Sequence, residues 1–558
     1  MKTIPFIALL LLAISPTFAQ QTSSFSRYLI AGIEAYERLD FQKAQNQFKA
    51  AIISEGINQD EKQEALDWLS KANNGYILKI EEKQDSLNRA LKNLAQEKKR
   101  AISFAMQSEA NRLALLSENE LKNNNARSAL YLAYQALATA KADQTPEHVL
   151  AFGYAVSNAL AQNMDKQSSP YESLALLEDQ NKVITQSADN TIRILDLKDG
   201  KTRTIDLKKK NILFAKIAPN ASWLLTATDD HVVTIWNENA KSVAQLKGHT
   251  EAISYATYSP DYELVLTCSR DNTAKLWKMD GTLLTTFNQH SGNLYYGEFS
   301  ADGNNILTRA SDGFVYIWDR NGQTLGTIRV ENSYMNSAIF SPEDDNILTA
   351  SSDGVARIWS KDGTLLKPLK GQAATIKNAF YAPNDPMIVT NGLDHQLRLW
   401  TPKGAAISTL KGHKNTINVI QFSPDHKTIL TASNDRTSIL WDKQGNRLQQ
   451  FSGHQKAVLQ ASFSPSGNYI LSTSKDGFAK LWTITGQLLM NIDLQSNDPI
   501  PAVFSADEKH IFAIINNRLA RLPLPDTALA MIENQNFFSS KERTKFDAAF
   551  DIQDFDLQ

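Results

Sequence analysis

The sequence predicts an α + β multidomain protein, an all-α N-terminal region followed by a long all-β region made of one repeated unit. Three observations predict it. Trp236, Trp277, Trp318, Trp359, Trp400, Trp441 and Trp482 stand 41 residues apart. Six residues before each anchor is an aspartate: Asp230, Asp271, Asp312, Asp353, Asp394, Asp435 and Asp476. Residues 21–163 carry no such period, contain one proline, and place apolar residues at helical spacing.

The repeat extends beyond the tryptophans. Leu195 and Pro523 hold the anchor position one period earlier and later, with Asp189 and Asn517 six residues before them. A second series keeps register over nine units: Leu176, Ile217, Tyr258, Phe299, Phe340, Tyr381, Phe422, Phe463 and Phe504. Each unit has strand patterning. In the third, 253–258, 264–269, 273–277 and 282–287 are short β-rich runs separated by turn residues. Gly281, Gly322, Gly363, Gly404, Gly445 and Gly486 recur four residues after the anchor, where a hairpin turn needs φ > 0. The residue after the aspartate is Asn190, His231, Asn272, Gly313, Gly354, His395 or Gly477, types suited to the left-handed region.

These units resemble the WD40 family, whose repeats form four-stranded blades around a central channel. The resemblance implies a β-propeller of eight to nine blades over residues 164–523. Nine is favoured because all nine units keep register, with residues 159–164 supplying the strand that the ninth unit lacks. It also implies that a Trp, a hydroxyl, a His and an Asp form a buried hydrogen-bond chain in each blade. Three sets match: Trp277, His249, Ser269 and Asp271; Trp441, His413, Ser433 and Asp435; Trp482, His454, Ser474 and Asp476. His290, Trp318 and Asp312 form a partial set, with Ala310 at the hydroxyl position. Lys208, Glu331 and Gln372 replace the histidine elsewhere, and those blades are expected to depend more on apolar packing between sheets.

Composition narrows the function. The chain has 558 residues, 58 Lys plus Arg against 60 Asp plus Glu, and a net charge of −2. No nucleic-acid partner is expected from that balance, since phosphate affinity comes from clustered cations. Cys268 is the only cysteine, which excludes an internal disulfide and a cysteine metal cage. Lys2, the apolar run 4–14, Pro16 and Thr17-Phe18-Ala19 read as a signal peptide, residues 1–19, cleaved before Gln20. No later segment is apolar enough to span a membrane. The expectation is an exported protein, periplasmic or secreted, in a bacterium.

In the front region, residues 20–75 read as helical hairpins. Tyr28, Ala31, Gly32, Ala44, Phe48 and Ala51 resemble the tetratricopeptide repeat, which places small residues where two helices approach. Residues 76–163 read as a long helix, 76–121, and a helical bundle. Ile80, Leu87, Leu94 and Ala101 follow a seven-residue step, with Leu91 and Ala105 between and Lys98 interrupting. This coiled-coil tendency allows self-association through helix 76–122 or folding back on helix 126–142, and both stay open. The run from Glu97 to Arg100 reads as a solvated face. Residues 524–558 read as a helix from Asp526 to about 534, a capping box of Ser539 and Glu542, and an acidic aromatic tail.

No catalytic, nucleotide-binding or metal-protease signature is present, so no enzyme activity, cofactor or metal is expected. The repeated aspartates read as turn formers rather than calcium ligands. By resemblance, partner proteins bind one ring face, at the residue before each repeated Asp and at those flanking the residue that opens each first strand. The positions are Arg270, Asn293, Tyr295, Ser311, Tyr334, Asn336, Ser352, Lys377, Leu393, Thr416, Asn418, Asn434, Leu459 and Lys475. Arg270, Tyr295 and Tyr334 fall in three consecutive units and are types that dominate protein interfaces. The expected function is an exported non-enzymatic scaffold for protein–protein interactions. The alternatives are a ligand- or peptide-sensing signalling component and a propeller-type hydrolase or sugar-binding protein.

Overall fold

A computed structural model describes residues 24–545 except 124, 141–145, 160–161, 164–170, 178–181, 198–200, 208–209, 219–221, 373, 384, 386, 497–501, 535–536, 540 and 544. The signal-peptide expectation and the tail beyond residue 545 lie outside the described residues. The chain forms two units that divide between Ala105 and Met106.

The first unit opens with α1 (Ser24–Glu37) and α2 (Phe41–Ile52). Asp40 caps α2, its Oδ1 accepting the Lys43 amide at 3.2 Å. Gly32 is required where the helices meet, because a Cβ there would lie 2.5 Å from the Phe48 ring. Phe48, Ala44, Ala51, Ala65 and Ala72 form the buried core of this hairpin.

Helix α3 runs from Gln59 to Lys122, so it begins well before the expected start at residue 76. Its beginning is set by a capping box in which Asn58 N donates to Glu61 Oε2 (3.0 Å) and Glu61 N to Asn58 Oδ1 (2.8 Å). Asn73-Asn74-Gly75 does not break it. Gly75 serves packing, since a Cβ there would sit 2.4 Å from the Phe41 ring. The seam residues Ile80, Leu87, Leu91 and Leu94 are all exposed.

Within the second unit the chain folds back on the end of α3. Leu113 and Ala114 pack with Leu132, Ala136 and Ala151 from α4 (Ala126–Ala140) and α5 (Pro146–Ala159). Ser117 Oγ donates to the Ala129 carbonyl at 2.8 Å.

The rest of the second unit is a propeller of nine four-stranded antiparallel sheets. Blades 1–8 each take four successive strands, with first strands beginning at Tyr171, Ile212, Ile253, Leu294, Met335, Ile376, Ile417 and Val458. Blade 9 combines Val503–Phe504, His510–Ile515 and Arg518–Pro523 with the early strand Gln162–Asn163, Gln162 lying opposite Arg521. The ring therefore closes through the strand that precedes it, as expected. Phe512, Ile514 and Leu519 of blade 9 share a core with Leu174, Val183 and Leu195 of blade 1.

Alternation places one face of each strand against the next blade. Leu264, Leu266 and Leu276 of blade 3 meet Phe299, Ile306 and Trp318 of blade 4, with the Phe287 and Trp318 ring centroids 5.2 Å apart. Cys268 lies in this layer, fully buried, and burial pushes its thiol far up, so it is unreactive. The turns behave as the residue types require. Asn190, His231, Asn272 and His395 adopt φ of 61–65°. Arg436, at the same position in blade 7, also sits at φ 74°.

Helix α5 lies on the outer strand of blade 8, so closely that a Cβ on Gly153 would be 1.9 Å from the Leu489 carbonyl oxygen. Leu489 is accordingly buried, whereas Val243, Leu284, Leu366, Ile407 and Leu448, one or more periods away, are exposed. Helix α6 (Pro525–Asn534) joins the same core through Ala528 and Ile532. The capping box beyond it is present, Ser539 Oγ donating to Glu542 Oε2 at 2.7 Å. Arg127 of α4 anchors this segment, bonding Glu542 at 2.7 Å and the Phe537 carbonyl at 3.0 Å. That bond, with those from Ser539, holds the Glu542 carboxyl down at about 2.

Candidate protein-binding face

The face is fixed by what lies beneath it. In blade 3, Trp277 Nε1 donates to Thr267 Oγ1 at 2.8 Å, and His249 bridges Thr267 (2.8 Å) and Asp271 (2.8 Å). The same chain forms through Thr308 in blade 4, Thr431 in blade 7 and Ser472 in blade 8. Two expectations are corrected here. Ser269, Ser433 and Ser474 do not carry the relay; they donate to the backbone carbonyls of Glu251, Asn415 and Lys456 at 2.9–3.0 Å. Blade 4 is not a partial set, because Thr308 completes it and Ala310 is irrelevant. The sequence signal was a hydroxyl four residues before the aspartate: Thr185, Thr226, Thr267, Thr308, Thr349, Thr390, Thr431 and Ser472.

Burial holds His249, His290 and His454 below the ordinary imidazole value, despite the aspartate each one faces. For Asp271 and Asp435, burial works the other way but is outweighed. Bonds from Thr273, His249 and the Thr250 amide hold Asp271 down, and His413, Thr437 and the Lys414 amide act likewise on Asp435. Most repeated aspartates also order their own turn, for example Asp271 by accepting the Thr273 amide at 2.9 Å and Asp353 by accepting the Val355 amide at 3.0 Å.

Blades without the histidine keep part of the polar chain beside their apolar packing. Their tryptophans still donate to Thr226, Thr349 and Thr390 at 2.8–3.0 Å. Their aspartates find cations instead: Lys210 on Asp230 (2.7 Å), Arg357 on Asp353 (2.6 Å) and Arg398 on Asp394 (2.8 Å). In blade 6 the Gln372 amide also reaches Thr390 at 2.9 Å.

Above this frame, the residue before each repeated aspartate pairs with the residue before a first strand. Arg270 N donates to Ala252 O, Ser311 N to Asn293 O, Ser352 N to Tyr334 O, Leu393 N to Thr375 O, Asn434 N to Thr416 O and Lys475 N to Ala457 O, all at 2.9–3.0 Å. The two position classes predicted to form one face are thus side by side. Arg270, Asn293, Ser311, Lys377, Asn434 and Lys475 are exposed. So are Tyr295 (48%), Tyr334 (80%) and Leu393 (49%), large apolar side chains on blades 4, 5 and 6. Leu213 on blade 2 is exposed at the position equivalent to Tyr295. Arg270, Tyr295 and Tyr334 stand on successive blades but make no hydrogen bond or ring contact with one another among the described residues.

Asn336 and Asn418 have a different task. They donate to the carbonyls of Ile376 and Val458, each at 2.8 Å, tying their blade to the next. Ser254 does the same to Leu294 O. Where that position carries Tyr295 or Lys377, a second-strand residue takes over: Arg309 donates to Met335 O (2.8 Å) and Asn391 to Ile417 O (3.4 Å). A tyrosine or lysine is therefore free to face outward only where the neighbouring strand supplies the tie. Thr416 and Leu459 are half-buried, and Ser352 Oγ is occupied by the Tyr334 amide at 2.9 Å.

First strands are also linked across blades. Ser337 Oγ accepts the Ala379 amide (3.2 Å), Gln421 Oε1 accepts the Phe463 amide (3.0 Å), and Glu298 Oε1 accepts the Phe340 amide. Glu298 Oε2 also accepts from Tyr296 OH at 2.7 Å, and burial pushes its carboxyl up to about 7.

Nine blades, with blades 3, 4, 7 and 8 locked by Trp–hydroxyl–His–Asp chains and short turns presenting variable side chains on one face, define a WD40-type β-propeller. The chain carries WD40 repeats: the family "WD domain, G-beta repeat" matches residues 240–278, 281–319, 322–360, 404–442 and 445–483. Among solved structures, the crystal structure of the C-terminal WD40 domain of Sif2 is similar at 15% identity and a TM-score of 0.45, covering 56% of this chain and 95% of that one. A comparison with curated proteins finds no match. No described helix is long and apolar enough to cross a membrane.

Proposed function

We propose that this protein is an exported, non-enzymatic scaffold that holds a partner protein on the face of its propeller carrying Tyr295, Tyr334 and Leu393. The observation that carries the reading is the placement of these three exposed apolar residues on adjacent blades, over the Trp–Thr bonds of those blades. Exposed aromatic side chains held on a rigid support bind with little loss of conformational freedom. Arg309, fixed by Met335 O and within electrostatic reach of Tyr295, adds a cation at the same place. Asn336 and Asn418 leave the candidate surface because their amides tie blades together.

The test is affinity isolation from the native cell with the intact chain and with a Tyr295→Ala/Tyr334→Ala/Leu393→Ala variant. Loss of a specific co-purifying protein from the variant supports the reading. Equal recovery overturns this patch as the contact. N-terminal sequencing of the mature chain tests export separately, with Gln20 expected as the first residue.

A further inference from the structure

We propose that residues 77–101 of α3 pair with the same segment of a second copy of this chain as an antiparallel two-stranded coiled coil. Every residue from Tyr76 to Ala101 is exposed, including Ile77, Leu78, Ile80, Leu87, Leu91 and Leu94. A helix gains most of its stability by burying an apolar stripe, so this span, about 38 Å long, is left without its usual support. The stripe is a heptad seam. Ile80, Leu87, Leu94 and Ala101 occupy one core position, and Ile77, Gln84, Leu91, Lys98 and Ala105 the other.

Charge decides both the occupant and its direction. In a parallel pair Lys98 would face Lys98 and Gln84 would face Gln84 in the core, and no flanking position would pair opposite charges. In an antiparallel pair with Leu87 against Leu91 of the second copy, Lys83 and Glu97 flank the core opposite each other, twice by symmetry. Lys98 then lies across from Ile80, where its stem covers apolar surface and its ammonium reaches Glu81. The acidic Glu81-Glu82 and the basic Lys98-Lys99-Arg100, at opposite ends of the seam, are brought together. Ala90 and Ala95, beside the central leucines, let the backbones approach. A second copy of this segment supplies both the apolar and the charged complement.

Light scattering on the full chain at micromolar concentration tests this. The intact protein is expected to be a dimer and Leu87→Glu/Leu94→Glu a monomer with an unchanged propeller melt, since both side chains are exposed in a single chain. Lys83→Glu is expected to weaken the dimer roughly tenfold at low salt, and Lys83→Glu/Glu97→Lys to restore it. Direction is read by disulfide trapping, because Cys268 is buried and silent. Leu87→Cys mixed with Leu91→Cys should cross-link, while Leu87→Cys alone should not. A monomeric intact chain, a Lys83→Glu variant that dimerises normally, or a Leu87→Cys chain that cross-links to itself would each overturn the proposal.

Discussion

Arg357 donates to Asp353 at 2.6 Å in the blade whose histidine position is Glu331. The same guanidinium reaches Ser351 Oγ at 3.0 Å and the Val355 carbonyl at 3.1 Å, so one side chain holds both ends of the turn. Histidine approaches the aspartate from outside the hairpin, whereas this arginine comes from its third strand. Arg357 is half-buried and Asp353 exposed, and because the contact is bidentate a double-mutant cycle with Arg357→Met and Asp353→Asn should show a coupling of about 0.5–1 kcal/mol in urea unfolding. Additive losses would mean that the blade does not depend on this contact.

The relay hydroxyl gives a sharper comparison. Thr267→Val strands the Trp277 N–H and one His249 nitrogen inside the sheet, and each unsatisfied buried group costs about 1–3 kcal/mol. Ser269→Ala removes bonds to two carbonyls at the blade margin. Thermal unfolding should therefore place Thr267→Val well below Ser269→Ala in stability. Equal losses, or the reverse order, would return the relay to Ser269.

These residues show what was legible in the sequence. The 41-residue period fixed nine units, their turns and the closing strand, because a repeat multiplies each local signal nine times. The hydroxyl was misplaced by two residues, although Thr267 and its equivalents repeat as regularly as Ser269. Both lie on the same face of the second strand, and only coordinates show which one meets the indole. Arg357 and Arg398 stand one period apart, but Thr234, Tyr316 and Ile439 hold the same position in other blades, so the pattern does not announce a partner for the aspartate. Asn336 looked like a surface residue because a bond to the next blade leaves no trace within its own unit. In the long helix, the early start at Gln59 was not legible, and Gly75 is explained only by the Phe41 ring it packs against.

Acid should loosen the propeller before the ordinary carboxylate range is reached. His249, His290 and His454 are held below 6.5 by burial, and His510 is held at about 4 for the same reason. The unfolded chain then binds protons that the folded chain does not. The stabilisation is complete above 6.5 and is lost as pH falls, with a slope of up to about 1.4 kcal/mol per pH unit for each imidazole. Melting temperature should fall between pH 7 and pH 5. Gln372 shows that glutamine can occupy this site, so a His249→Gln/His290→Gln/His454→Gln variant should have a flatter profile over that interval. A profile as steep as that of the native chain would place the acid sensitivity elsewhere.

Glu298 should act in the opposite direction. Its carboxyl rises from 4.5 to about 7 because burial disfavours the charge, even though Tyr296 and the Phe340 amide bond to it. A raised carboxyl contributes stability that is full below the unfolded value of 4.5 and is lost as pH rises through 7. At pH 8 the folded chain must carry this charge in a poor environment. Gln421 occupies the equivalent position three periods later and makes the same bond to the Phe463 amide without a charge. Glu298→Gln is therefore expected to keep the link between blades 4 and 5 and to raise stability at pH 8 by on the order of 2 kcal/mol, with little effect at pH 4.5. Urea unfolding at the two pH values measures the difference. A variant that is less stable at pH 8 would mean that Lys216, or another cation near the inner strands, depends on the negative charge and that the carboxylate is part of a working ion pair.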